Sequence, residues 1–361
     1  MEKKELSIYS FTETGSGLAA ELYAGLQSAG YTCRAYAPGR FAQKRGLLGL
    51  APDWKEALGK SWGKEGLIFI GAAGIAVRAI APYVKDKFSD PPVVVLDEKG
   101  RFAIPLLSGH VGGGVELAGL LQELIGAEAV ITTATDVQQK FAVDVFAVRN
   151  GLLLSGREEA KNISACILEG KKTGIFSEFP MEGAAPKELT VCTSRSGLDA
   201  CSGKIVVCQR LPQKKESGVL YLFPKNVYVG MGCRRGVEKE SLVRELDRVL
   251  SENGLLRKQV RAVGSIDLKK DEAGLIGLAE ELGAAFRTFS AEELEAAGAV
   301  SAPSEFVRQV TGVDNVCERA ARLLCPEGLM LQKKVKLDRC TAALVCGQPT
   351  LRFERKEGRA E

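Results

Sequence analysis

The scarcest residue in this sequence is histidine, of which the 361 residues contain one, His110. The ten cysteines are scattered, no two of them form a C-x-x-C pair, and none lies near the histidine in the sequence. Structural zinc sites need four such ligands at short spacings, so this composition argues against a zinc site and predicts no metal ligands. Scattered free thiols are typical of a reducing compartment, and the expected location is the cytoplasm.

Long apolar runs are also missing. No stretch reaches the roughly 18 apolar residues of a membrane-spanning helix, and the charged start Met1–Glu5 lacks the apolar core of a signal peptide. The formal net charge is only +4. Because nucleic-acid binders concentrate basic residues on one face, a nucleic acid is not expected as a partner. A membrane is not expected either, because the long apolar runs are missing. The short runs Lys214-Lys215 and Lys333–Lys336 are interpreted as solvated surface.

What the sequence has in excess is glycine, with 40 residues, beside 45% apolar residues that suffice for a large core. Near both ends of the chain, short apolar stretches alternate with segments of helical apolar spacing. This pattern predicts an α/β protein with two three-layer α/β domains, at 1–138 and 219–361, each with a mainly parallel sheet. Arg101–Pro105 is predicted to return as a hairpin strand. A smaller middle segment is predicted at 139–218, with the polar Gln213–Gly218 as a linker.

Gly71-Ala72-Ala73-Gly74 follows a predicted buried strand and opens a helix. Its small residues allow backbone N–H groups to approach a ligand, and a helix N-terminus favours an anion. Arg78 offers a bidentate contact to a carboxylate or phosphate. The plainer alternative is a tight turn with Arg78 on the surface. No G-K-[ST] follows, so the segment is not a P-loop.

The richest motif is Leu107–Glu116, which holds the histidine, four glycines and a carboxylate. Glycine is costly to order, so such a run indicates a loop whose backbone passes close to a ligand. His110 suits proton transfer near neutral pH, and Glu116 suits an orienting or second acid/base role. The candidate substrate contacts in this loop are Ser108, Gly109, Gly112 and Gly113. The alternative is a flexible loop whose histidine caps a helix, but the surrounding glycines favour function.

Three further motifs follow predicted strands. Thr132 and Thr133 offer hydroxyl groups beyond a strand end, where open α/β sheets bind ligands, with a helix cap at Thr135 or Asp136 as the alternative. Ser265–Glu272 places Asp267 and Lys269 at a sheet edge, or else forms a solvated loop.

The third of these motifs, Gly230–Gly236, is interpreted as a loop. Arg235 stands where the dinucleotide fingerprint G-x-G-x-x-G needs a glycine, so that fingerprint fails. The segment is instead interpreted as an anion-binding loop with Gly230, Gly232, Arg234 and Arg235. The alternative is a turn into a helix. Cys233 as a nucleophile is the less favoured hypothesis, because no histidine is near it in the sequence to activate it.

Together these motifs resemble the CbiG proteins of cobalamin biosynthesis. The stretches that carry the resemblance are Gly74–Pro82, Asp90–Glu98, Leu106–Ala118 and Thr132–Asp136 for the amino-terminal part, and Gly230–Gly236 with Ser265–Glu272 for the carboxy-terminal domain. The sequence departs from the family at Gly114-Val115-Glu116, where the family favours an Ala-Asn-Glu-like run. This departure argues against Gly114 and Val115 as contacts, but not against Glu116.

The resemblance implies a hydrolase that opens the δ-lactone of cobalt-precorrin-5A, a cobalt-bearing tetrapyrrole, and expels acetaldehyde to give cobalt-precorrin-5B. Cobalt arrives with the substrate, so no cofactor is expected. On this chemistry His110 is the base, Glu116 the orienter or second acid/base, and the loop glycines stabilise an oxyanion. Arg78, Arg234 and Arg235 hold substrate carboxylates, with a cleft between the two α/β ends as the expected place.

Two other readings stay open. One is a non-catalytic tetrapyrrole-binding or scaffold protein of the same pathway. The other, less favoured, is a nucleotide-dependent enzyme that uses Gly71–Gly74 or Gly230–Gly236. A homodimer is compatible with the sequence.

Overall fold

The structure is a computed structural model that describes residues 5–86, 89–109, 112–133, 138, 140–298 and 300–353. The chain divides after Lys140 into two compact units, of which the second contains two α/β domains. Parallel pairings outnumber antiparallel ones in the described sheets, which confirms the predicted α/β class. Among the helices that the structure describes, none combines the length and apolar character that a bilayer crossing requires.

In the first domain the described residues form a seven-stranded sheet of order β3-β2-β1-β4-β5-β6-β7. The strands are β1 (Glu5–Ser10), β2 (Thr32–Ala37), β3 (Leu48–Gly49), β4 (Gly66–Ile70), β5 (Val93–Leu96), β6 (Phe102–Leu107) and β7 (Glu128–Ala129). The helices are α1 (Glu13–Ser28), α2 (Gly39–Arg45), α3 (Trp54–Ser61), α4 (Ala73–Ile80) and α5 (Gly114–Ile125). Helices α1 and α5 pack on one face and α3 and α4 on the other, which makes three layers.

The direction of β6 decides where the loops of this domain lie. As predicted, β6 returns antiparallel to β5, with Ala103 opposite Leu96 and Leu107 opposite Val93. Strand β7 runs parallel to β6, whereas β1, β2, β4 and β5 all run the other way. The carboxyl ends of β6 and β7 therefore lie at the opposite edge of the sheet from those of β1 and β4.

The second domain has a described sheet of order β11-β9-β12-β13-β8. Its strands are β8 (Leu152–Leu154), β9 (Thr173–Ser177), β11 (Leu189–Cys192), β12 (Gly203–Val207) and β13 (Val219–Pro224), with helices α6 (Val143–Arg149) and α7 (Arg157–Leu168) on one face. The short β10 (Met181–Glu182) pairs with β19 (Leu351–Arg352), so residues near the end of the chain pack in this domain. The apolar spacing of the middle segment predicts two helices and three strands, and the structure confirms them. The predicted helices are Phe141–Asn150 and Glu158–Leu168, and the predicted strands are Gly174–Phe179, Leu189–Thr193 and Lys204–Gln209.

The prediction that the third domain begins at residue 219 is corrected by the pairing of β13. This strand pairs in parallel with β12, Leu220 opposite Ile205, and antiparallel with β8. Gln213–Gly218 therefore connects two strands of one sheet and is not an interdomain linker. A fully buried apolar strand carries no sign of which sheet it joins, which explains the error.

In the third domain the described strands have the order β16-β15-β14-β18-β17. They are β14 (Val227–Cys233), β15 (Val260–Ile266), β16 (Ala285–Phe289), β17 (Leu329–Lys336) and β18 (Cys340–Cys346). The helices are α8 (Lys239–Glu252), α9 (Ala273–Leu282), α10 (Ala291–Ala296), α11 (Glu305–Thr311) and α12 (Val316–Leu324). Helices α8 and α9 pack on one face and α10 and α12 on the other, so this domain too has three layers.

A buried amide cluster joins the second and third domains. Gln209 Nε2 donates to Asn226 Oδ1 at 3.1 Å, and Asn226 Nδ2 donates back to Gln209 Oε1 at 2.8 Å. Asn226 Nδ2 also donates to the Gly347 carbonyl at 2.7 Å, and Gln259 Nε2 to the Gln209 carbonyl at 3.0 Å. All three amides are buried. Because buried amides are costly without partners, this cluster stabilises the junction at Asn226.

Candidate functional site

Gly71, Gly74 and Arg78 lie together near the carboxyl end of β4. Gly71 has a φ of 147°, which favours glycine, and α4 begins two residues later. No described side chain caps the N-terminus of α4, and Ala72–Gly74 are exposed. The Arg78 guanidinium folds back over Gly74, where an added Cβ would lie 3.3 Å from Nη1. This turn therefore presents exposed backbone and a cation in one place.

The loop before α5 is held by Ser108. Its hydroxyl donates to the Asp90 carbonyl at 2.7 Å, and its φ of 51° is the only positive value outside glycine among the described residues. The Ser108 carbonyl accepts from Gly114 N at 3.0 Å. Backbone in such a conformation is costly and clusters at functional sites. Glu116 lies in the first turn of α5, and His110 lies outside the described residues.

Packing accounts for part of the glycine run. A Cβ on Gly112 would lie 2.3 Å from Ser108 Cβ, and one on Gly114 would lie 2.9 Å from the Leu107 carbonyl. Gly113 has a φ of 86° at the start of α5. Gly109 differs, because a Cβ there would be at an ordinary 3.5 Å from Val115. The turn itself thus demands Gly112, Gly113 and Gly114, and the proposed N–H contacts of Gly109, Gly112 and Gly113 stay predictions.

The first domain does not bring its predicted contacts into one cluster. Gly71, Gly74 and Arg78 follow β4. The described residues Ser108, Gly109 and Gly112–Glu116 follow β6, and Thr132-Thr133 follows β7. Since β6 and β7 run opposite to β4, the two groups lie at opposite edges of the sheet. The two groups of residues are therefore separated by about the length of the five-residue strand β4, roughly 16 Å. Thr135 and Asp136, the alternative helix cap, lie outside the described residues.

In the third domain the prediction of a loop over Gly230–Gly236 is wrong for its first four residues. Gly230 and Gly232 lie inside β14, which pairs with both β15 and β18. An added Cβ on Gly230 would lie 1.8 Å from the Cys317 carbonyl of α12. Gly230 is therefore glycine because the helix backbone lies directly on the strand, and it does not line the cavity described below.

Glu272 holds the two motifs of the third domain together. Its Oε1 accepts from Gly236 N at 2.8 Å, and its Oε2 accepts from Lys269 Nζ at 2.8 Å. Burial alone would raise the pKa of Glu272, but the hydrogen bonds from Lys269 and Gly236 and the nearby Arg235 charge lower it below its usual value. The charged carboxylate thus fixes the turn that carries Arg234 and Arg235.

A cavity of about 690 Å³ opens at the carboxyl ends of β14 and β15. Open α/β sheets bind ligands at this position. The strand ends, α11, the start of α12 and the β17–β18 hairpin contribute its walls. Its aliphatic lining consists of Ile266, Leu268, Val307, Val310, Val316 and Leu337.

The charged lining of the cavity is strongly positive. Its cations are Arg234, Arg235, Lys269, Lys334, Lys336 and Arg339, and Asp338 is the single carboxylate among the described lining residues. Lys269 pairs with Glu272, and Lys334 Nζ donates to the Ala302 carbonyl at 3.2 Å. Within the described ranges no ion pair forms at Arg234, Lys336 or Arg339. The arrangement suits a ligand with an apolar body and several anionic groups.

The sequence motifs predicted Gly232, Cys233, Arg234, Arg235 and Lys269 of this cavity but not the residues from α11 and the β17–β18 hairpin. The interpretation of Lys333–Lys336 as solvated surface is corrected, because Lys334 and Lys336 line the cavity. Their spacing of two residues on a strand was a usable signal, since alternate residues share one face. No comparable spacing in the sequence marks Leu268 or Val310 as cavity residues.

Cys233 and Cys340 also line the cavity and stand opposite each other on β14 and β18. Burial raises the pKa of the Cys233 thiol to about 11, so the thiol is protonated at neutral pH. This argues against Cys233 as a nucleophile. Among the described residues no group of three His, Cys, Asp or Glu side chains is placed to hold a metal ion.

Comparison with known proteins places these domains in one family. Three CbiG family profiles match. The cobalamin synthesis G N-terminal profile matches residues 56–136, the cobalamin biosynthesis central region matches 141–224, and the cobalamin synthesis G C-terminus matches 227–345. The last two matches divide where the second and third sheets divide.

Two named relatives are similar over most of the chain. The cobalt-precorrin-5A hydrolase of Priestia megaterium is 36% identical over 272 residues, which cover 72% of each protein. That of Salmonella typhimurium is 37% identical over 293 residues, 77% of this chain and 81% of the relative. A solved structure, a putative cobalamin biosynthesis protein G homolog from Sulfolobus solfataricus, is 20% identical with a TM-score of 0.41, covering 95% of this chain and 97% of that one. The profile matches and the two relatives show that this chain belongs to the cobalamin synthesis G (CbiG) family.

Proposed function

We propose that this chain is a hydrolase of cobalt-precorrin-5A that opens the δ-lactone, releases acetaldehyde and leaves cobalt-precorrin-5B. The observation that carries the proposal is its similarity to two relatives of that name, 36% and 37% identical over more than two thirds of both proteins.

The cavity of the third domain supports this activity. The substrate is a large macrocycle with acetate and propionate side chains, and the cavity combines aliphatic walls with a cationic lining. Guanidinium groups bind carboxylates through two parallel hydrogen bonds, so Arg234 and Arg235 are suited to hold those side chains. Gly232, in the same lining, leaves room beside them. Arg78 of the first domain, exposed beside Gly74, stays a predicted carboxylate contact.

The reaction needs proton transfer at two points. Water adds to the lactone carbonyl and the ring C–O bond breaks, which gives a carboxylic acid and a free hydroxyl group. A base then takes the hydroxyl proton, the carbonyl of acetaldehyde forms, and the electron pair of the broken C–C bond passes to the macrocycle, which is protonated. We assign the base role to His110 and the orienting or second acid/base role to Glu116.

An oxyanion forms while water adds to the lactone. Backbone N–H groups of Gly109, Gly112 and Gly113 are the proposed donors to it, and Ser108, Thr132 and Thr133 are further proposed contacts. The positive φ of Ser108 and its hydrogen bond to the Asp90 carbonyl support this assignment, because they fix the backbone next to Gly109, and donors fixed in advance need no reorganisation during the reaction.

We propose that the protein needs no cofactor of its own, because the cobalt is part of the substrate. A cytoplasmic location is proposed because the ten cysteines are all free thiols. A homodimer stays a prediction that sedimentation of the purified protein tests.

The proposed activity is tested by incubating the protein with cobalt-precorrin-5A, trapping any aldehyde with a hydrazine and weighing the tetrapyrrole by mass spectrometry. We expect trapped acetaldehyde and a tetrapyrrole that has lost the two-carbon unit. Tight binding of an unchanged tetrapyrrole would instead identify a carrier or scaffold. A thermal shift with nucleotides would identify the nucleotide-dependent alternative.

A further inference from the structure

We infer that the third-domain cavity is a holding site for the unreacting part of the macrocycle, in which Lys336 and Arg339 bind free carboxylates and Leu268 and Val310 cover an apolar face. The inference rests on the proposed function and extends it, because it assigns these four residues to substrate specificity and separates holding from lactone chemistry.

The position of the two cations is fixed by the tip of the β17–β18 hairpin. Lys336 ends β17, and Arg339 directly precedes β18. Leu337 N donates to the Cys340 carbonyl at 2.9 Å and closes the tip, while Arg234 N donates to the Arg339 carbonyl at 3.0 Å and fastens the tip to the end of β14. The backbone therefore brings Arg234, Lys336 and Arg339 to the same edge of the sheet.

These three cations remain exposed and without carboxylate partners in the described part of the chain. Like charges repel, so a cluster of this kind is most stable when an anion lies among the cations. Asp338 lies between Lys336 and Arg339 in sequence and offsets only part of the charge. Several carboxylates on one rigid ligand match this cluster better than a single small anion does, because the cations come from separate strand ends.

The apolar half of the site comes from the opposite walls. Leu268 follows β15 and Val310 lies on α11, and their exposures of 61% and 62% are large for aliphatic side chains. Apolar surface gains free energy when a ligand removes it from water. A flat macrocycle with apolar faces and carboxylates at its periphery can pack against Leu268 and Val310 while its carboxylates bind the cations.

The described lining has little with which to move protons. It contains no histidine and one carboxylate, Asp338, and burial raises the pKa of the Cys233 and Cys340 thiols well above neutral pH. A site that touches only unreacting groups binds substrate and product alike. Such uniform binding lowers KM without raising kcat.

The binding test uses cobyrinic acid, a stable cobalt corrinoid with free carboxylates, and its fully esterified form as probes for the full-length protein. We expect the acid to bind, the ester to bind at least about tenfold more weakly, and added salt to weaken binding of the acid. Equal binding of acid and ester would overturn the carboxylate role.

Matched variants locate the effect. The double substitution Lys336→Gln with Arg339→Gln is expected to weaken binding of the acid about tenfold, and Leu268→Ser to weaken both probes several-fold. Lys333→Gln and Leu329→Ser are the controls, because Lys333 and the 57% exposed Leu329 lie on β17 outside the cavity lining. Controls that weaken binding as much as the cavity variants would overturn the inference.

Turnover separates this inference from the proposed function. With cobalt-precorrin-5A, the double variant is expected to raise KM about tenfold with kcat within about twofold of the parent. If acetaldehyde is released and KM does not change, the holding site is wrong and the hydrolase stands. If no acetaldehyde is released but the corrinoid binding pattern holds, the hydrolase is wrong and the holding site stands.

Discussion

The first and third domains are both three-layer α/β units with glycine-rich motifs after their strands, yet they arrange those motifs differently. In the third domain β14 and β15 are parallel neighbours, so Arg234-Arg235 and Leu268-Lys269 meet at one cavity. In the first domain β6 reverses direction, so Gly71–Gly74 and the described residues of the glycine-rich loop, Ser108, Gly109 and Gly112–Glu116, lie at opposite sheet edges. Strand direction, more than the motif itself, decides which residues share a site.

The glycines of the two domains serve two structural purposes, close packing and positive φ. Gly230 lies under the backbone of α12, and Gly112 and Gly114 lie against the tight turn at Ser108. Gly71 and Gly113 instead adopt positive φ. In both domains a glycine that looks like a ligand contact in the sequence is first a requirement of local packing or backbone conformation.

The largest expected effect would assign the chemistry to the first domain. His110→Ala is expected to lower kcat for acetaldehyde release by about 10²- to 10⁴-fold, because the proton-transfer group is removed. Binding of cobyrinic acid, assigned to the third domain, is the control and should stay within about twofold of the parent. Unchanged turnover would end the base assignment and with it this division of labour.

The next effect tests whether Gly230 is a packing residue. Gly230→Ala is expected to lower the free energy of unfolding by about 3 kcal/mol, because the new Cβ would overlap the Cys317 carbonyl. Gly236→Ala is the matched control, since its Cβ would meet open space and only its φ of 71° costs about 1 kcal/mol. Chemical denaturation measures both. If both variants lose the same free energy of unfolding, α12 moves to make room for the new Cβ, and close packing does not explain Gly230.

A smaller effect is expected from the buried amide cluster that joins the second and third domains. Asn226→Ala is expected to lower the free energy of unfolding by about 2 kcal/mol, because it leaves the buried Gln209 amide and the Gly347 carbonyl short of partners. Hydrogen exchange near β13 and β14 should rise. The neighbouring Lys225→Ala should cost less than about 0.5 kcal/mol, and a similar loss from both would deny the amide cluster its role.

The smallest effect is expected from Glu272, which links the Gly230–Gly236 and Ser265–Glu272 motifs of the third domain. At neutral pH Glu272→Gln is expected to lower the free energy of unfolding by about 1 kcal/mol, because it weakens the contacts to Lys269 and Gly236. The folded pKa of Glu272 lies below its usual value of 4.5, so its contribution is complete above that value and is lost as the pH falls through the folded pKa. Denaturation midpoints at several pH values measure this, with the exposed Glu280→Gln as control. A deficit that persists in acid would contradict the ionic origin.

Much of the fold could be predicted from the sequence, because buried strands and amphipathic helices have distinct apolar patterns. The hairpin return of β6, the three-layer domains and the elements of the middle segment were all accessible in this way. The sheet to which β13 belongs was not, since a run buried on both faces looks the same in any sheet. The extension of β14 through Gly230 and Gly232 was masked by residues that elsewhere mark loops.

The candidate site was less predictable, because its walls come from distant segments. Arg234 and Arg235 stood out as a motif, whereas Lys336, Arg339 and Val310 join them only through the hairpin tip and α11. Local patterns carry no record of such long-range contacts.

The proposed hydrolase activity is tested most directly by the ratio of acetaldehyde trapped to cobalt-precorrin-5A consumed by the purified protein. We expect one acetaldehyde for each tetrapyrrole, with the two-carbon unit missing from the product mass. Bound but unaltered tetrapyrrole with no trapped aldehyde would contradict it.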